Sequence, residues 1–74
     1  MANTSIIAKA LDLAITTLTS IGRWDEESVN VLASLFTTLG EVTGDNAAAL
    51  DDYSSELPEV IQNTIKVKLV NHFN

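Results

Sequence analysis

Few of the 74 residues carry reactive chemistry, and their spacing limits what they can do. The chain has no Cys and one His, His72, close to its end. Without Cys there is no thiolate zinc site, no disulfide and no thiol nucleophile. A lone His without neighbouring ligands reads as an ordinary residue of a terminal helix. Two carboxylate pairs, Glu26-Glu27 and Asp51-Asp52, are adjacent in sequence. On a helix such neighbours point about 100° apart, whereas acid/base work on one bond needs two carboxyls converging in a cleft. Asp45 and Glu56 stand at the first and twelfth places of a would-be calcium loop. The places that need Asp or Asn, and then Gly for the sharp turn, hold Ala47, Ala49 and Leu50 instead. The three Gly, at 22, 40 and 44, stand singly, like helix stops, and form no phosphate-cradling loop. We therefore expect no catalytic residues, no metal ligands, no cofactor and no small-molecule substrate.

Composition narrows the class further. Four Lys plus Arg face ten Asp plus Glu, a formal charge of −6, which argues against nucleic-acid backbone binding. The hydrophobic share of 46% is that of a folded chain, and the length is that of one domain, residues 1–74. The longest apolar stretch, Ile6 to Ile21, is broken by Lys9, Asp12 and several Thr and Ser. A span needs about 20 mostly apolar residues, so no membrane partner is expected. The start has no basic leader, so no secretory signal is read. The Asn3-Thr4-Ser5 glycosylation pattern then reads as accidental. The expected location is cytoplasmic or virion-associated.

The elements that must position these residues read as helices. The pattern predicts an all-α bundle of three to four helices, at about 5–21, 25–42, 46–53 and 58–73, built on an antiparallel hairpin. Asn3, Thr4 and Ser5 offer cap oxygens to the first helix, and Gly22 suits its end. Asp25 caps the second, Glu26 and Glu27 suit its positive end, and Trp24 is placed to pack on Val29. Gly40 offers an early stop and Gly44 a later one. Asp45 or Asn46 caps the third, and 54–57 reads as loop. In the last segment Ile61, Ile65, Leu69 and Phe73 step by four, while Ile65-Lys66-Val67-Lys68-Leu69 alternates by two. Helix is the expectation there. A strand over 61–70, which would need another chain as its partner, is the competing reading.

Two surface signals remain. The apolar residues of the first helix cover an arc of roughly 220° and those of the second roughly 200°, against the ~100° stripe a surface helix needs. We expect a homo-oligomer, with Ile7, Leu11, Leu18, Trp24, Phe36 and Phe73 as the candidate apolar interface. The acids cluster as well: Asp25, Glu26, Glu27, Asp51, Asp52, Glu56 and Glu59 form a candidate surface for a basic protein partner.

In size, acidity and helical reading the chain is similar to acyl carrier proteins, which carry a prosthetic group on the Ser of an Asp-Ser-Leu motif. Asp25-Glu26-Glu27-Ser28-Val29 and Ser54-Ser55-Glu56-Leu57 both depart from that motif, so no prosthetic group is expected. The small, cysteine-free, Thr/Ser/Asn-rich character also resembles bacteriophage accessory proteins such as virion decoration components. The expected function is a non-catalytic, self-associating structural or protein-interaction subunit. The alternative is an acidic inhibitor that occupies the basic, nucleic-acid-binding surface of a target protein.

Overall fold

The computed structural model describes residues 2 to 74, with side chains at 5 to 46 and 48 to 74. It is all-α. Helix α1 spans Ala2–Ile21, α2 spans Glu26–Thr43, a 3-10 helix spans Asn46–Glu56, and α3 spans Glu59–Phe73. No strand occurs among the described residues. The strand alternative at 61–70 is excluded, because the period of four decides which side chains are covered. Ile65 and Leu69 are fully buried, whereas Val67 between them is exposed.

Helix α1 turns at Gly22, whose φ of +71° is a left-handed cap, and its amide donates to the Leu18 carbonyl at 3.2 Å. The chain then returns as α2, antiparallel to α1, so that Ser5 and Ala8 share a groove with Leu39 and Thr43. Helix α1 begins at Ala2, three residues before the expected start at Ser5. Asn3 and Thr4 are therefore helical positions and not caps; their side chains lie outside those described.

Helix α2 is the axis of the bundle. It supplies Val29, Leu32, Ala33, Phe36 and Leu39 to a core completed by Ile15, Ala49, Leu50, Tyr53, Leu57, Ile65 and Leu69. The Tyr53 ring meets Phe36 edge-on, with centroids 5.3 Å apart. Gly40 does not end α2. The helix continues to Thr43 and closes at Gly44, φ +79°, whose amide donates to the Gly40 carbonyl at 2.8 Å. Gly40 is buried instead, because the backbone of Asn46 crosses it. A Cβ placed there would overlap the Asn46 carbonyl, with the carbonyl carbon at 2.9 Å.

The third element corrects the expected short helix at 46–53 with a loop after it. It is a 3-10 helix that runs on through Glu56. Asp45 makes no side-chain cap bond, and Asn46 takes a left-handed φ of +54°. Ala49, Leu50 and Tyr53, with Leu57 just past its end, are buried in the core. The element returns the chain along α2, and α3 then starts beside the beginning of α2. Val29 and Ile61 line one groove there, and near the other end His72 Nε2 lies 3.5 Å from Glu41 Oε2. The Gln62 amide holds the junction, donating to the carbonyls of Ser54 at 2.5 Å and Leu57 at 2.8 Å.

Gly40→Ala tests this crossing. Alanine is the better helix former by ~1 kcal/mol, yet overpacking against Asn46 should cost about 1–3 kcal/mol. We expect a lowered urea midpoint, and an unchanged or raised one would show that the two backbones are not pressed together.

Candidate functional site

Helix α1 has two apolar sides and one neighbour of consequence, α2. At 100° per residue, Ala8, Leu11, Ile15 and Leu18 fall on one side and pack on the core, with Ile15 fully buried. Ile6, Leu13 and Ile21 fall on the other side, with Ile7 at its margin. They are 65%, 69%, 59% and 45% exposed, respectively. Ala10 and Thr17, also exposed, lie along the middle of this stripe. Thr17 is less polar here than its hydroxyl suggests, because Oγ1 donates to the Leu13 carbonyl at 2.8 Å. That bond leaves its methyl as the group open to a partner. On α2, Val31 and Leu35 line a shallow surface groove with Glu26 and Glu27.

A second apolar patch lies on α3. Val60, Val67 and Val70 are 73%, 59% and 40% exposed. Val67 and Val70 share a shallow groove with Lys66, Asn63 and Asn71.

The candidate apolar interface inferred from sequence is redistributed. Phe36 is withdrawn from it: it is 0% exposed and sits at the centre of the core. Leu11, Leu18, Trp24 and Phe73 are partly buried and packed against that same core. Ile7 alone of the six belongs to the open stripe. Ile6, Leu13 and Ile21 were missed. The helical wheel places them opposite Ile15, but a wheel with apolar residues on two sides does not say which side faces α2.

The candidate acidic residues are all exposed, and they stand on three elements. Asp25, Glu26 and Glu27 open α2, and Glu59 opens α3. Asp52 lies toward the start of α1, in a groove with Asp12, Asp45 and Lys9. Asp51 and Glu56 stand on the 3-10 helix. Of the seven, Asp25 alone makes an ion pair among the described residues, with Arg23 Nη2 at 2.9 Å. The Ser28 hydroxyl and the Arg23 guanidinium beside Asp25 hold its carboxyl below the ordinary value of 3.8. Asp25 makes no side-chain bond to the helix amides; its carbonyl accepts from the Val29 amide at 2.9 Å.

Fold and surface together define a small all-α protein with an apolar stripe on its outer helix and exposed acids at the starts of α2 and α3 and on the 3-10 helix. No family model, curated protein or solved structure matches the chain. Among the described residues no three His or acidic side chains converge as a metal site, and no helix is long and apolar enough to cross a membrane.

Ser28→Ala tests the hydroxyl's role at Asp25. The depressed folded-state pKa makes a stabilising contribution that is complete above the ordinary value of 3.8 and lost as pH falls through the folded value. Removing the hydroxyl should raise the Asp25 titration midpoint, read by carbon NMR of the side-chain carboxyl. An unmoved midpoint would leave Arg23 as the cause.

Proposed function

We propose that this chain is a non-catalytic, self-associating structural or protein-interaction subunit, of the type of a bacteriophage virion accessory or decoration component. A cytoplasmic or virion-associated location fits that role. The observation that carries the reading is the outer stripe of α1, where Ile6, Ile7, Leu13 and Ile21 stand open to solvent. Burial of apolar surface is favourable at roughly 25 cal/mol per Å². A chain of 74 residues has few elements with which to cover a second side of its first helix, and closed homo-oligomers are the usual remedy. Sedimentation across micromolar concentrations should show a mass above that of the 8.0 kDa monomer. Leu13→Lys should return the chain to monomer without loss of helix content. A wild-type chain that stays monomeric throughout would refute the reading.

A second reading has its own support. Glu26, Glu27, Asp51, Asp52, Glu56 and Glu59 are exposed and make no ion pair among the described residues. They suit an acidic inhibitor that covers a basic, nucleic-acid-binding surface on a target protein. On that reading an arginine-rich peptide binds the chain, with affinity falling steeply as salt rises. Replacing Asp51, Asp52 and Glu56 by their amides should abolish binding with the fold intact; unchanged binding would exclude these residues as the contact.

A further inference from the structure

We propose that the partner on α1 is a second copy of this chain, docked with its own α1 antiparallel and fully overlapped. In that register Leu13 lies over the partner's Ala10 and Ile6 over the partner's Thr17. The inference rests on the self-association proposed above and adds the surface and the geometry.

Charge selects the occupant. Lys9 and Asp12 cancel within α1. Helix α2 carries Glu26, Glu27 and Glu41 without a Lys or Arg, and the 3-10 helix carries Asp51, Asp52 and Glu56 without one. Two copies of a chain with charge −6 repel over most approaches, and α1 is where they meet with least repulsion. The valine patch on α3 is the rival surface. It sets Lys66 beside Val67 and Val70, so pairing it with itself brings like charges together.

Side-chain size selects the orientation. Ile6, Ala10, Leu13 and Thr17 follow the alternating four- and three-residue steps of a helix–helix seam. In a parallel two-fold pair each residue meets its own counterpart: Leu13 meets the partner's Leu13, and Ala10 meets the partner's Ala10. A wide layer would then lie beside a hollow one, and a hollow forfeits contact on both sides. Antiparallel pairing over residues 2 to 21 sets large against small at every layer, each twice by symmetry. It also opposes the helix dipoles. The Thr17 hydroxyl, already donating to the Leu13 carbonyl at 2.8 Å, is buried without losing a partner. A helix of 20 residues is about 30 Å long. One such face covers on the order of 500 Å² per copy, roughly 1,000 Å² in total and within the class of weak, transient interfaces, so a dimer in concentration-dependent exchange with monomer is expected.

The chain has no native Cys, so single cysteines read the register directly. Ala10→Cys and Leu13→Cys, both at exposed positions, are mixed with one of them isotope-labelled, then oxidised and weighed by mass spectrometry. Far-UV circular dichroism checks their helix content, and Ile6→Cys with Thr17→Cys provides a second pair in the same register. The expected result is mixed disulfide in several-fold excess over either self-linked product, for both pairs. Self-linked products in equal or greater amount would overturn the antiparallel register. An unmodified chain that sediments as a dimer while no pair links would overturn the choice of α1 and leave self-association standing. A chain that is monomeric at all concentrations would overturn both.

Discussion

Every other element of this protein packs against α2. Its inward side chains, Phe36 above all, are closed off by α1, the 3-10 helix and α3 together. The crossing of Gly40 and Asn46 sets how closely the chain can turn back on that axis. A side chain at 40 would hold the 3-10 helix away from α2 and loosen the layer that seats Leu50 and Tyr53. The close approach therefore governs core density, and through the 3-10 return it governs where α3 begins.

The same arrangement determines what stays uncovered. The central helix touches all three other elements and keeps a mostly polar face open, whereas α1 packs mainly on α2. For α3 the uncovered groove mixes Val67 and Val70 with Lys66 and two asparagines, which water tolerates. For α1 the uncovered side is a stripe of branched aliphatic residues. The hydroxyls of Thr17, Ser34, Thr37, Thr38, Thr43 and Thr64 donate to carbonyls of their own helices, so these helices are less polar at the surface than their composition suggests.

Net charge is thus unevenly divided among the elements. The acids gather on the α2 start, the 3-10 helix and the α3 start, and α1 is left neutral. On the proposed reading this division favours a closed pair over open growth. One neutral face attracts its like, and the acidic remainder discourages further copies.

The residues alone determined the class of fold. Gly22 and Gly44 after apolar runs, Asp25 before one, and the four-residue step from Ile61 to Phe73 all pointed to helices within a few residues of those observed. These are local signals, written in caps and periodicity, and they act before any packing. The apolar excess of α1 was legible for the same reason. Tertiary structure alone decided the rest. It buried Phe36, turned Leu11 and Leu18 inward and left Ile6, Leu13 and Ile21 outside, because which side of a two-sided helix faces the core depends on where its neighbour lies. It also tightened 46–56 into a 3-10 helix and put Gly40 beneath Asn46, because a returning segment must fit the helix it crosses, and no local pattern encodes a distance to another part of the chain.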